Sequence, residues 1–93
     1  MFSIYILECA DGSYYTGLTR RPIEQRVWEH NSGLVEGYTH SRRPVVLRFV
    51  ESTESALAAT GRERQVKGWS RRKKEALMAG NYEALPGLAK GKA

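Results

Sequence analysis

A single cysteine, Cys9, among 93 residues excludes an internal disulfide, and with only two histidines beside it no zinc centre can be assembled. Cys9 is therefore expected as a small buried apolar residue. Long apolar runs are also missing. The opening Phe2-Ser3-Ile4-Tyr5-Ile6-Leu7 is too short for a membrane span and has neither a basic lead-in nor a small-residue cleavage site. It reads as a first strand, and the chain is expected to be cytoplasmic with no membrane association. Repeats, linkers and low-complexity tracts are absent, so one domain is expected over residues 1–87, with residues 88–93 as a frayed tail. Acidic residues are the scarcer charge, 10 against 15 Lys and Arg, for a net charge of +5. A hydrophobic content of 41% excludes wholesale disorder, and the basic excess points to a polyanionic partner.

What is present is organised. Residues 2–8 are rich in β-branched and aromatic side chains, Ala10-Asp11-Gly12 offers turn chemistry, and strand character resumes from Tyr14 to Thr19. Side chains alternate across a strand, so only one of Tyr14 and Tyr15 can share a face with Tyr5. A two-residue Asp11-Gly12 turn, the stronger local signal, would pair Tyr5 with Leu18 and put Tyr14 on its face. A three-residue Ala10-Asp11-Gly12 loop would pair Tyr5 with Gly17 and put Tyr15 there.

Pro22 suits a helix's first turn, and Ile23, Val27 and Leu34 recur at helical spacing up to a stop at Ser32-Gly33. A polar loop, Glu36 to Arg43, leads to a third strand, Pro44–Val50. Ser52 or Thr53 can cap a second helix that has Glu54 in its first turn and stops near Gly68; Ser70 caps a third that runs to Gly80. The order β-β-α-β-α-α predicts an α+β domain, a small antiparallel sheet with helices packed on it.

Some polar residues fall on apolar stripes. Ile23, Arg26, Val27 and His30 share one helix face, so Arg26 and His30 either snorkel from its edge or face an anionic ligand together. On the second helix Ala56, Ala59, Thr60, Glu63 and Val66 form a stripe of small residues. Its one carboxylate, Glu63, is either carried inward or paired with Lys67 at i+4. Arg62, Arg64, Lys67, Arg71, Arg72, Lys73 and Lys74 crowd the junction of the last two helices. Together with Arg20-Arg21 and Arg42-Arg43 they suggest a phosphate-tracking surface. Trp69 beside them is expected to plug the helix junction, with stacking on a base as the other option.

Ser3-Ile4-Tyr5, then Tyr15-Thr16-Gly17, then Arg26 and His30 on one helix and Glu63 on a later one resemble the GIY-YIG nuclease domain in order and spacing, over nearly the whole chain. The stretches "RRPIEQRVWEHNSG" and "RERQVKGWSRRKKEAL" are similar to small stand-alone members. The resemblance implies a three-stranded antiparallel sheet flanked by helices and hydrolysis of DNA phosphodiester bonds with one divalent metal, Mg²⁺ or Mn²⁺. By the same resemblance, Glu63 is the metal ligand and Arg26 contacts the scissile phosphate. Tyr5 and Tyr15 line the site, and one of them, or His30, helps to deprotonate the attacking water. In the three-residue loop's register, Gly17 leaves open space beside Tyr5 for a phosphate to approach. The expected substrate is DNA, branched, damaged or single-stranded, reached through Arg20, Arg42, Arg43, Lys67, Arg71, Arg72, Lys73 and Lys74, with a protein partner as a source of specificity.

The chain departs from the family pattern in having Ser3 for glycine, Leu18 where some members place lysine, and no asparagine beyond Glu63 before Asn81. The last departure and the basic third helix motivate the alternative, a nucleic-acid-binding module with a weakened site. An inert protein-interaction domain is a third option. The resemblance requires the three-residue hairpin loop, or a bulge with the same effect, and hence Tyr15 beside Tyr5 with Tyr14 on the opposite face.

Overall fold

The computed structural model describes residues 1–81. Its elements are β1 (Phe2–Glu8), β2 (Tyr14–Thr19), α1 (Ile23–Asn31), β3 (Val46–Thr53), α2 (Ala56–Lys67) and α3 (Arg71–Met78). The strands form one antiparallel sheet, as the β-β-α-β-α-α pattern predicts, and their order in it is β2-β1-β3. The tail expected at residues 88–93 lies outside the described residues. No described helix is long and apolar enough to cross a membrane.

The hairpin settles which tyrosine faces Tyr5. Cys9 N–H donates to Ser13 O at 2.8 Å, Gly12 N–H returns to Cys9 O at 2.9 Å, and Gly12 has a φ of 85°, which a residue without Cβ adopts freely. Ala10-Asp11-Gly12 is thus a three-residue loop. Tyr5 pairs with Gly17 and Leu7 with Tyr15. The Asp11 carboxylate accepts from the Ser13 backbone N–H at 3.0 Å, which favours this loop over the shorter turn.

The sheet separates two apolar clusters. Tyr5, Leu7, Cys9 and Val45 form one, with Tyr15, Ile23, Val27 and Leu47 packed against it, so α1 covers this face. Ile6, Val66 and Leu77 form the other, with Tyr14, Phe49, Trp69 and Met78, beneath α2 and α3. Cys9 is buried, and Trp69 plugs the helix junction as expected.

Several expectations need correcting. The third strand begins two residues late, because the Asn31 side chain stands in for a neighbouring strand. Its Oδ1 accepts from Val45 N–H at 2.7 Å and its Nδ2 donates to Val45 O at 3.0 Å. The strand then runs on through Ser52 and Thr53, which pair with Ser3 and Phe2, so neither caps α2. Ser55 does, its Oγ accepting from Ala58 N–H at 3.1 Å, and Glu54 precedes the helix instead of joining its first turn. Leu34 leaves the α1 stripe, 66% exposed, because Gly33 with φ 82° reverses the chain after the helix. Pro22 sits at the N-cap, one place before the first turn. In α2 only Ala59 and Val66 are buried; Ala56 and Thr60 face outward.

Candidate active site

Tyr5, Tyr15, Arg26 and His30 meet on the α1 face of the sheet. The Tyr5 ring lies 6.4 Å from that of Tyr15 and 5.8 Å from the His30 imidazole, and Tyr15 and His30 are 5.4 Å apart. Strand alternation aims both tyrosines at α1, and the i, i+4 spacing aims Arg26 and His30 back at them. The Tyr5 hydroxyl lies 2.9 Å from His30 Nε2 and accepts from Arg26 Nε–H at 3.3 Å. Arg26 and His30 therefore face the tyrosines together, and the snorkelling alternative does not describe them.

Electrostatics follow from this packing. Burial pushes the Tyr5 phenol up, with the Arg26 hydrogen bond opposing it. Burial, and then the Arg26 charge, hold the His30 imidazole below its ordinary value, so it is neutral at neutral pH. Arg26 is itself oriented by Glu29, whose Oε1 accepts from its Nη1 at 3.0 Å. Glu29 is buried and also binds Arg21 and Gln25, and hydrogen bonding to Arg26 keeps its carboxyl below the usual range. Arg26 is a quarter exposed, and among the described residues its Nη2 has no protein hydrogen-bond partner.

Three contributors escaped the sequence reading. Glu29 could have been found from its i+3 spacing to Arg26. Thr39, buried in the loop after α1, places Oγ1 2.8 Å from His30 Nδ1. Tyr38 stacks on Tyr15 at 6.1 Å and 19°, with the Arg42 guanidinium 3.9 Å from its ring centroid. Neither of the last two carries a local signal, since both reach the site across a loop.

Gly17 is needed for a different reason from the one expected. A Cβ there would meet Tyr5 Cζ and Oη at 2.5 Å, so the space beside the strand is filled by the Tyr5 ring and is not open to a phosphate.

Glu63 is drawn inward on α2, its side chain 16% exposed, and it also pairs with Lys67 Nζ at 2.8 Å. Both sequence alternatives for this residue therefore hold at once. The Glu63 hydrogen bond raises the Lys67 pKa, burial opposes it, and the Glu63 and Tyr15 charges add smaller rises. Among the described residues no group of three or more His, Cys, Asp or Glu converges.

The basic residues do not form one surface. Arg20 stacks over Phe2, Arg42 binds Asp11 at 3.1 Å, and Arg43 donates to the His40 carbonyl at 2.8 Å. Lys67 and Lys74 are neighbours, the Lys67 charge helping burial to lower the Lys74 pKa. Arg71 lies over Tyr14 on the opposite sheet face and pairs with Glu75, while Arg72 is exposed. Lys73 is buried with Nζ 3.6 Å from the Trp69 ring centroid, so it cannot belong to an outer surface. Asn81 is exposed just past α3.

A search of family profiles matches residues 1–76 to the GIY-YIG catalytic domain. The UPF0213 protein VNG_2274C of Halobacterium salinarum is 48% identical over 77 residues, 83% of this chain and 99% of its own. The UPF0213 protein of Syntrophus aciditrophicus is 46% identical over 83 residues, covering 88% of this chain and 94% of that one. The solution NMR structure of the UPF0213 protein BH0048 from Bacillus halodurans, 42% identical, aligns with a TM-score of 0.55 over 85% of this chain and 84% of that one. That of EF2693 from E. faecalis, 35% identical, gives 0.58 over 86% and 84%. The tyrosine pair, the helix that faces it and these relatives agree: the chain belongs to the GIY-YIG catalytic-domain family, a superfamily of nucleases.

Proposed function

We propose that the protein is a metal-dependent endonuclease that hydrolyses DNA phosphodiester bonds, with branched or damaged DNA as its substrate class. The observation that carries this reading is the Arg26–Tyr5–His30 cluster behind Tyr15. Arg26, held at Nε and Nη1, keeps Nη2 for a phosphate oxygen, a planar grip that lysine cannot reproduce. Tyr15, half-buried, stands at the mouth of the site. Tyr5 hands its phenolic proton to His30 and takes that of the attacking water; burial, which makes the phenol a weaker acid than usual, opposes this step, and the Arg26 hydrogen bond favours it.

Glu63 is the carboxylate that would hold one divalent ion. A donor set of one carboxylate suits a hard cation that keeps most of its waters, Mg²⁺ or Mn²⁺, and fits neither a zinc nor a calcium cage. When bound, such an ion stabilises charge on the phosphate and leaving oxygens. Lys67 Nζ pairs with Oε2 of the Glu63 carboxylate, so the ion would take Oε1 or compete with Lys67 for Oε2. Arg42 and Arg43, in the loop after α1, are the cations offered to the DNA backbone beside the tyrosine cluster; Lys67 and Lys74 extend from α2 and α3, Arg20, Arg71 and Arg72 lie on the other sheet face, and a protein partner adds specificity.

The test is cleavage of branched, nicked and single-stranded DNA with Mg²⁺ or Mn²⁺. Glu63→Ala and Arg26→Lys should each abolish turnover in a folded protein; cutting at the parental rate by Glu63→Ala removes the metal role. The Lys67–Glu63 pair favours a second reading, a binding module whose carboxylate is already neutralised. Salt-dependent DNA binding without turnover on any substrate would select it.

A further inference from the structure

We infer that Thr39 is a positioning residue that fixes the direction of the buried hydrogen-bond chain, so that His30 Nε2 is the acceptor of the Tyr5 phenolic proton. The chain runs Thr39 Oγ1 to His30 Nδ1 at 2.8 Å, His30 Nε2 to Tyr5 Oη at 2.9 Å, and Arg26 Nε to Tyr5 Oη at 3.3 Å. Its direction follows from what each group can do. A guanidinium only donates, so Tyr5 accepts from Arg26 and must place its own proton elsewhere. Among the described residues, the remaining hydrogen-bond partner of that hydroxyl is His30 Nε2.

A neutral imidazole that accepts at Nε2 carries its proton at Nδ1, and that proton needs an acceptor in a place closed to water. Thr39 Oγ1, buried like His30, is that acceptor. A hydroxyl can rotate to accept, so Thr39 meets the requirement without a charge, which would have favoured the imidazolium. In this arrangement the phenolic proton can pass from Tyr5 Oη to His30 Nε2. The oxyanion left on Tyr5 stays hydrogen-bonded to Arg26, and the imidazolium keeps its Nδ1–H on Thr39. The use of this transfer in cleavage rests on the nuclease reading; the hydrogen-bond direction does not.

The decisive experiment is long-range ¹H–¹⁵N correlation on protein labelled at histidine nitrogens, read at neutral pH without DNA or metal. His30 should show a protonated Nδ1 and a bare Nε2, the minor tautomer of free imidazole side chains. Thr39→Val, which removes the hydroxyl at nearly constant shape, should shift His30 toward the Nε2–H tautomer, and Thr39→Ser should restore the parental signature. In turnover, Thr39→Val should lower kcat on the order of 10²-fold with KM unchanged, as for a misplaced catalytic group. An Nε2-protonated parent, or a Thr39→Val spectrum identical to the parent's, overturns the inference. So does a Thr39→Ser variant that behaves like Thr39→Val. Should Thr39→Val not fold, the parental spectrum decides alone. A parent that cleaves no DNA but shows Nδ1–H sinks the nuclease reading and leaves the assigned direction standing.

Discussion

Replacing Gly17 by alanine should destabilise the protein, although intrinsic backbone preference argues the other way. Gly17 does not have a positive φ, so alanine needs no backbone rearrangement, and in a strand it gains about 0.5–1 kcal/mol from the lower entropy of the unfolded chain. The contact decides the sign. The new Cβ would lie 2.5 Å from Tyr5 Cζ, against an ordinary carbon–carbon separation of about 3.5–4 Å, so the ring must retreat by about 1 Å. Tyr5 is buried and tied to His30 and Arg26 at 2.9 and 3.3 Å, and such a shift breaks both bonds. Overpacking costs about 1–3 kcal/mol and each of the two lost hydrogen bonds about 1 kcal/mol, so the net loss is about 3 kcal/mol after the backbone gain. In a domain of this size that lowers Tm by roughly 12–24 °C. Gly61 supplies the control. It lies within α2 with open space around it, so Gly61→Ala should raise stability by about 0.5–1 kcal/mol. Urea unfolding monitored by circular dichroism compares the pair directly. If Gly17→Ala unfolds at the parental midpoint or above, the Tyr5 ring does not rest on this glycine and the account of the site floor fails.

Stability should also depend on His30. Its folded pKa lies below the ordinary 6.5, chiefly through burial, so the unfolded chain binds the extra proton first. The contribution is complete above about pH 6.5 and is lost as pH falls below it. Urea midpoints from pH 8 to 5 should fall in the lower half of that range, and less steeply in His30→Gln; parallel curves would refute this. Thr16 is buried, and among the described residues its hydroxyl has no partner. Thr16→Val should therefore raise stability by about 1 kcal/mol in the same assay, and a loss would mean that the hydroxyl is hydrogen-bonded.

Much of this was legible in the sequence because it follows from period and order. Alternation placed Tyr5 on one sheet face, helical spacing placed Arg26 and His30 together, and the β-β-α-β-α-α order gave an antiparallel sheet with helices packed on it. The hairpin was harder, since Asp-Gly favours a shorter turn and the three-residue loop wins through the Asp11–Ser13 contacts. Boundaries failed where a side chain replaced a backbone partner. Asn31 delays β3, and the pairing of Ser52 and Thr53 with β1 moves the α2 cap to Ser55. Lys73 reads as surface charge in any local window, and only the position of Trp69 buries it. Thr39 and Tyr38 act across a loop whose path is set by tertiary contacts, so no local pattern announces them.

The division of the core into two clusters has a further consequence. Arg26, His30 and the two site tyrosines are held by the α1 cluster, while Glu63 rides on a helix anchored by Val66 in the other. The residues proposed to grip an anion and the carboxylate proposed to hold a metal thus sit on two separately packed layers, one on each face of the sheet. On the proposed endonuclease reading, a change that loosens α2 should displace Glu63 and leave Arg26, His30 and the tyrosines in place.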